Sequence, residues 1–325
     1  MAVYTPVPEA QVQALLKRLN LGELQQLSGI SAGIENSNFF VDCSAGRYVL
    51  TLFERLNSAQ LPFYLGLMQH LAAKGLPVPA PQADAQGETL FELQGKPAAV
   101  VSCLRGSHQL SPNVFHCEQL GHCLARLHGA VADFPRFQPN LRGLPWWQEV
   151  APTLLDQLPA DTATLLREEL HFQLELAGSA VYQELPRGAI HADLFRDNAM
   201  FEGLPGREQL CGVFDFYFAG VDSFLFDLAV CLNDWCIDLA SGRLIEERAS
   251  ALVAAYEAER PLSAAEHRLL PALLRAAALR FWLSRLDDWY RPRDAQLLKP
   301  HDPTHFERVL RERRSNPWHA MKDAS

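Results

Sequence analysis

The run His191-Ala192-Asp193-Leu194-Phe195-Arg196-Asp197-Asn198, followed by a second acid within the apolar stretch Gly212-Val213-Phe214-Asp215-Phe216, constrains this chain more than any other feature. Between Asn198 and Asp215 the residues read as an apolar strand (Ala199-Met200-Phe201), a Gly/Pro turn (Gly203-Leu204-Pro205-Gly206) and a second apolar strand (Leu210 to Phe214). A hairpin of that kind brings Asn198 and Asp215 together at its open end. The fold must therefore accommodate a loop carboxylate, a loop amide and a second carboxylate in one place.

Such a set suits phosphoryl transfer. One carboxylate positions an attacking hydroxyl and is placed to take its proton, while an amide oxygen and a second carboxylate hold Mg²⁺ against nucleotide phosphates. Asp193, Asn198 and Asp215 fit these roles in order. Each taken singly is better explained as a turn former or a solvated side chain. The ordered set is not, because it continues into Asp227-Leu228-Ala229 at the start of an apolar helix. His191 reads as a buried loop-bracing residue rather than a base, and Asp227 as the group that orients the catalytic loop.

The His-x-Asp-x4-Asn spacing, the apolar-Asp-apolar strand after it and Asp-Leu-Ala on the next helix resemble the aminoglycoside phosphotransferase and choline kinase superfamily. Eukaryotic protein kinases differ, with Arg and Gly where this chain has Ala192 and Tyr217. Asn36-Ser37-Asn38-Phe39-Phe40, Tyr48 to Glu54, Leu61-Pro62-Phe63-Tyr64 and His191 to Phe201 are together similar to the bacterial homoserine kinases built on that fold. The resemblance implies an α+β, two-lobed protein-kinase-like fold: a small N-lobe (1–104) with an antiparallel sheet and a helix, and a larger, mainly helical C-lobe (105–325). It also implies ATP and Mg²⁺ as cofactors, ATP lying between the lobes, and L-homoserine as the acceptor in threonine biosynthesis. The turn Ile34-Glu35-Asn36-Ser37-Asn38 would close over the phosphates, and the hinge backbone from Ser102 to Leu104 would bond adenine.

The local pattern gives elements in keeping with this. Pro8 to Asn20 reads as a helix ended by Gly22, and Ser37–Cys43 and Arg47–Phe53 read as a hairpin. A helix from Ala59 to Lys74 follows, then an extended segment set by Pro77, Pro79 and Pro81, then strands Thr89–Leu93 and Ala98–Leu104. Arg105-Gly106-Ser107 is the expected hinge. Beyond it, Ser111 with Pro112 is expected to start a helix running to Ala130. Asp161–Glu184, Phe224–Leu239, Gly242–Glu259 and Ser263–Tyr290 also read as helices, with the catalytic hairpin the one clear β interruption. Arg308 to Arg314 reads as a solvated terminal helix.

Composition narrows the partners. With 29 Lys+Arg against 38 Asp+Glu the net charge is -9, which offers no footprint for nucleic acid or an anionic membrane. No apolar run reaches the length of a spanning helix and no leader pattern opens the chain, so a cytoplasmic protein is expected. The seven cysteines are scattered without a Cys-x-x-Cys pair and read as reduced, mostly buried thiols. His116, Cys117, His122 and Cys123 sit among Leu120, Leu124 and Leu127 and read as a packing helix rather than a metal site. No feature addresses the oligomeric state.

One departure from the family pattern stands out. The strand Tyr48–Phe53 should carry a basic residue for the phosphates, yet the matching position is Thr51, and the helix Ala59–Lys74 contains no acid to partner such a base. The two losses are consistent, because a buried Glu without its Lys is costly.

For the acceptor, an Arg is needed for a carboxylate and an acid or carbonyl for an ammonium. Arg196, Arg280 and Arg285 are candidates for the first, Asp197 and Asp222 for the second. Trp146-Trp147 or Trp282 with Trp289 would suit a choline cage, and Asp287-Asp288 an aminoglycoside. Other hydroxyl acceptors, including methylthioribose and hydroxylysine, and a catalytically silent nucleotide-binding protein, stay open at this point.

Overall fold

In the computed structural model, residues 5–30, 36–291 and 301–320 are described. The chain divides into two compact units. One comprises Met1–Gly106 with Cys211–Phe214, the other Ser107–Leu210 with Asp215–Ser325.

The first unit is a five-stranded sheet with two helices. Helix α1 (Glu9–Arg18) starts after Pro8, carries Glu9 in its first turn and Lys17 and Arg18 in its last, and so matches its charges to the helix dipole. Strands β1 (Leu24–Gly29), β2 (Asn36–Cys43) and β3 (Gly46–Phe53) lead to helix α2 (Leu61–Ala73), and β4 (Phe91–Leu93) and β5 (Lys96–Ser102) follow it. The sheet order is β1-β2-β3-β5-β4, with every neighbour antiparallel. The register pairs Cys43 with Gly46 across a two-residue turn, Asn38 with Thr51, and Thr51 with Ala99.

Burial alternates strictly along β2. Ser37, Phe39, Val41 and Cys43 are buried, while Asn36, Asn38, Phe40 and Asp42 are half-exposed. The buried set of β2 joins Leu50, Leu52, Ala98 and Val100 against Val12, Leu15 and Leu16 of α1 in one apolar cluster. A truncation such as Leu50→Ala in a core of this kind costs about 2–5 kcal/mol. Strand β1 has no counterpart among the elements expected from sequence. Its Leu-Gln-Gln-Leu-Ser-Gly run shows no alternation because it is an edge strand, half-exposed on both faces.

The second unit is mainly helical. Its helices are α3 (Val114–Ala130), α4 (Leu144–Leu154), α5 (Ala160–Ala177), the short α6 (Ala180–Gln183), α7 (Phe224–Trp235), α8 (Glu246–Glu259), α9 (Ala264–Tyr290) and α10 (Thr304–Ser315). Strands β6 (Arg187–Ile190) and β9 (Gly220–Ser223) pair antiparallel, Arg187 opposite Ser223 and Ile190 opposite Gly220. Strands β7 (Ala199–Glu202) and β8 (Gln209–Val213) make the expected hairpin, β8 passing at Cys211 into the stretch counted with the first unit. The expectation of a single β interruption is therefore corrected, β6 and β9 being four-residue strands too short to show a period.

Two further corrections concern helix ends. Helix α3 is capped by Asn113, not Ser111. The Asn113 side chain accepts from His116 N, and the His116 side chain accepts from Asn113 N, a capping box with His in the usual Glu place. The expected Asp161–Glu184 helix breaks after Ala177, where Ser179 caps α6.

The packing of α3 along α8 depends on Gly121. A Cβ built there would lie 2.2 Å from the Leu252 carbonyl oxygen of α8. No described helix is long and apolar enough to cross a membrane.

Candidate active site

The catalytic loop spans the gap between β6, which ends at Ile190, and β7, which begins at Ala199. Ala192 has φ +62°, a left-handed conformation that costs a residue with a Cβ about 1–2 kcal/mol. The strain is held by α7. Asp227 Oδ1 accepts from Ala192 N (2.7 Å) and its Oδ2 from His191 N (2.9 Å). One turn on, Cys231 Sγ donates to Leu194 O (3.6 Å), and Trp235 Nε1 donates to the same carbonyl (3.0 Å). Asp234 Oδ2 accepts from Arg196 N (2.8 Å) and Arg196 Nε (3.0 Å). These four α7 residues are spaced i, i+4, i+7 and i+8, so one stripe of the helix fastens the loop along its length.

Within the loop, Asp193 is half-exposed, and its N–H donates to His191 Nδ1 (3.2 Å). The Asp193 carbonyl accepts from Phe195 N and from Asn198 Nδ2, both at 2.8 Å. That bond fixes the amide of Asn198 with its nitrogen on the loop, which leaves Oδ1 as the group presented outward. Asp215 follows β8 and precedes a 3₁₀ turn (Phe216–Phe218), with φ 65° and ψ 56°. Phe216 packs on His191 with ring centroids 4.6 Å apart, which ties the Asp215 segment to the catalytic loop.

The Asn198 amide oxygen and the Asp215 carboxylate are hard oxygen donors of the kind Mg²⁺ takes. Among the described residues no group of three or more His, Cys, Asp or Glu side chains is arranged to hold a metal ion. Mg²⁺ held by one or two protein oxygens completes its shell from substrate phosphates and water. His122 instead bonds Glu259, and Cys117 lies against the Trp235 carbonyl.

Burial alone would raise the Asp227 carboxyl. The hydrogen bond from the His128 ring, with that from the His191 N–H, outweighs it and holds Asp227 below the ordinary carboxylate range. Asp234 is pushed the other way, burial prevailing over Arg196.

The acceptor candidates separate clearly. Arg196 is buried, bonded to Asp234 through Nε, to the Asp234 carbonyl through Nη2 and to Leu110 O through Nη1 (3.1 Å). Its guanidinium is committed to bracing the loop, which corrects the expectation that it reads an acceptor carboxylate. Asp222 is likewise committed, to Asn140 Nδ2 (2.9 Å) and Arg187 Nη1 (3.1 Å). Asp197 is exposed. Arg280 is buried between the rings of Phe281 (3.8 Å) and Phe218 (5.1 Å).

Arg285 lies over the Phe306 ring (4.4 Å). Phe306 stacks on Phe281 (5.2 Å) and on Phe195 of the catalytic loop (5.9 Å). Among the described residues the Arg285 guanidinium has no hydrogen bond or ion pair. Burial pulls its pKa down, against the charges of Asp234, Asp302, Asp193 and Asp197. The tryptophans form no cage: Trp147 is buried and donates to Arg142 O, and Trp282 is fully buried while Trp289 is exposed.

In the first unit, Ser37 does not share a face with Asn36 and Asn38. Its hydroxyl donates to Glu54 (2.6 Å) and accepts from Thr5 N (3.0 Å) within the α1 side of the sheet. Successive residues of a strand point to opposite faces, so Asn36 and Asn38 share the face opposite the Ser37 side chain, and the part expected of Ser37 in that turn is its backbone N–H. Asn38 Oδ1 accepts from Thr51 Oγ1 (2.7 Å), so the position expected to be basic is a buried hydroxyl paired across the ladder. Lys96 is no substitute, because it pairs with Glu54 on the Ser37 face. The Ser102 N–H is spent on Ala80 O (2.9 Å), whereas the Leu104 N–H has no partner among the described residues. Gly33, Ile34 and Glu35 lie outside the described residues.

Sequence reasoning misses His128, Cys231, Asp234 and Trp235. Asp234, seven residues after Asp227, is the one member of the stripe that helical spacing alone makes visible.

The model of the "Phosphotransferase enzyme family" matches residues 26–266. The chain belongs to that family. It is 59% identical over 318 residues to the homoserine kinase of Polaromonas naphthalenivorans (strain CJ2), covering 98% of this chain and 99% of the other. It is 55% identical over 317 residues to the homoserine kinase of Cupriavidus pinatubonensis (strain JMP 134 / LMG 1197), covering 96% of each. Among solved structures, the amicoumacin kinase hAmiN in complex with AMP-PNP, Ca²⁺ and Ami matches with a TM-score of 0.70 at 19% identity over 94% of both chains. Choline kinase from Cryptosporidium parvum Iowa II matches with a TM-score of 0.65 at 14% identity over 95% of this chain and 96% of that one. These likenesses show the fold, α+β and protein-kinase-like.

Proposed function

We propose that the chain transfers the γ-phosphoryl group of ATP to the hydroxyl of L-homoserine, forming O-phospho-L-homoserine and ADP in the cytoplasm. The observation that carries this reading is the 59% identity, over nearly the whole chain, to a protein named homoserine kinase. The loop geometry supports it, since the pinned Asn198 amide, Asp215 and Asp193 supply the three groups that phosphoryl transfer requires.

Asp193 orients the acceptor hydroxyl for in-line attack and is placed to take its proton. The acceptor oxygen bonds to the γ-phosphorus as the β–γ bridging bond breaks, and ADP leaves with that bridging oxygen. Mg²⁺, when bound by Asn198 Oδ1 and the Asp215 carboxylate, would neutralise charge on the β- and γ-phosphates. Asp227 keeps the loop in register. The Leu104 N–H is the hinge donor available to adenine, and the half-exposed Asn36 and Asn38 are the β2 side chains available to the phosphates. Arg285 is the guanidinium with spare donors for the homoserine carboxylate, and Asp197 is an exposed acid available to its ammonium.

ADP release from Mg-ATP, measured against L-homoserine, L-serine, choline, methylthioribose, hydroxylysine and kanamycin with Asp193→Asn as the blank, tests the reading. Turnover with homoserine alone is expected. Turnover with another acceptor would discard the substrate while keeping the class, and ATP binding without any turnover would favour a silent nucleotide-binding protein.

A further inference from the structure

We propose that His128 is a positioning residue of the phosphoryl-transfer site, held as the neutral Nε2–H tautomer by Tyr256 so that it presents the Asp227 carboxylate to the catalytic loop. His128 belongs to α3, bonds Asp227 rather than a residue of the loop, and has a side chain only 1% exposed.

The direction of every bond follows from which groups can donate. Asp227 as a carboxylate only accepts, and its Oδ2 lies 3.0 Å from His128 Nε2, so that nitrogen carries the hydrogen. The other ring nitrogen, Nδ1, is 2.7 Å from the Tyr256 hydroxyl of α8. Arg260 Nη1, which only donates, lies 3.2 Å from the same hydroxyl oxygen. The tyrosine oxygen accepts from Arg260, and its own buried hydrogen needs an acceptor, for which Nδ1 is the one at hand among the described residues. The chain runs one way: Arg260 to Tyr256, Tyr256 to His128, His128 to Asp227, whose two oxygens then receive the His191 and Ala192 N–H groups. Arg260 is itself set by Glu266 (2.9 Å), and Phe224 stacks on the imidazole at 4.5 Å and 24°.

The titration directions agree. Burial pushes the His128 imidazole below its ordinary pKa in spite of Asp227, and pushes the Tyr256 phenol up. Both hold the uncharged forms that the bond directions need.

The consequence for catalysis lies at Ala192. Its left-handed backbone sets the direction of Asp193, and the Asp227 Oδ1 bond holds it there. An Asp227 without His128 can turn about its side-chain torsions and trade one loop N–H for another. Removal of His128 or of the Tyr256 hydroxyl should then misplace Asp193 in the transition state while leaving the bound substrates alone, a loss in kcat rather than KM.

The test uses the full chain. In the wild type, ring ¹⁵N shifts assigned by the loss of signal in His128→Gln should report the neutral Nε2–H tautomer near about pH 7. Tyr256→Phe removes one oxygen and should lower kcat about 10-fold with both KM values within about twofold and an unchanged melting temperature. His128→Gln, whose amide can donate to Asp227 and accept from Tyr256, should keep more of kcat than His128→Leu. An imidazolium or an Nδ1–H tautomer would overturn the proposal, as would wild-type kcat in Tyr256→Phe. If His128→Leu fails to fold, the tautomer and Tyr256→Phe still decide. The tautomer measurement needs no acceptor, so it stands or falls apart from the homoserine reading.

Discussion

The carboxamide nitrogen of Asn198 donates to the backbone carbonyl of Asp193 at 2.8 Å. The residue proposed to hold the cation is thereby oriented by the main chain of the residue proposed to orient the hydroxyl. Asn198→Ala removes both the oxygen ligand and this internal brace. We expect kcat to fall about 100-fold or more, with part of the loss recovered by raising Mg²⁺. A loss untouched by Mg²⁺ would assign Asn198 to bracing alone.

Asp193→Asn keeps the shape of the side chain but not the charge proposed to polarise the hydroxyl. Turnover should drop by about 10²–10⁴, while nucleotide affinity measured by calorimetry stays near wild type. Equal loss of both would remove Asp193 from the role of hydroxyl acceptor.

Arg285→Met keeps an apolar stem over Phe306 and deletes the guanidinium. Without the two charge-assisted hydrogen bonds that a guanidinium gives a carboxylate, the homoserine KM should rise about 10- to 100-fold. The ATP KM should not move, and an amino alcohol of the same length without the carboxylate should be phosphorylated equally by both proteins. A parallel loss for the amino alcohol would contradict the assignment.

At Gly121 two effects oppose one another. Alanine favours a helix over glycine by about 1 kcal/mol, but the added methyl would meet the Leu252 carbonyl at 2.2 Å, where backbone must shift. Overpacking of this kind costs about 1–3 kcal/mol, so the clash should win and thermal melting of Gly121→Ala should fall by several degrees. Helix α3 also carries His128 and α8 carries Tyr256. A stabilised Gly121→Ala would show that the two helices slide past the contact freely.

Acid should act early through His305. Burial first, then the charges of Arg285, Arg308 and Arg196, pull its pKa down to about 4. The unfolded chain takes up this proton near its ordinary value of about 6.5, so the unfolded state holds more protons between the two values. Stability therefore falls as pH drops from about 6.5 towards 4 and gains nothing further from this group above that window. Melting curves of His305→Gln should show a shallower slope over this range; an unchanged slope would place the acid sensitivity elsewhere.

What the sequence reveals of the site follows from where its information is local. Asp193, Asn198, Asp215 and Asp227 stand out because their spacing along the chain reflects a loop, a hairpin and a helix start. The rest of the fastening is hidden because α7 is buried on nearly every side. Eleven of its twelve residues are buried, so no apolar stripe marks which face meets the loop. His128 reads as one more residue of a packing helix, since its partners are 99 and 128 residues away. The alternation within Asn36-Ser37-Asn38 shows only in the structure, where the pleat turns Ser37 inward and leaves its two neighbours half-exposed. In the fold, long periodic helices and the β2–β3 hairpin are legible, whereas four-residue strands and the edge strand carry too little pattern to register.

Helix α7 works as a ruler whose marks are set by the helical pitch. Asp227, Cys231, Asp234 and Trp235 fall within about 100° of one another around its axis. One inserted or deleted residue between Asp227 and Cys231 would turn every later mark by about that same angle. Side chains on α7 can be exchanged one at a time, but its length between those marks is fixed. A lineage that keeps this loop should therefore accept substitutions in α7 long before it accepts a gap there.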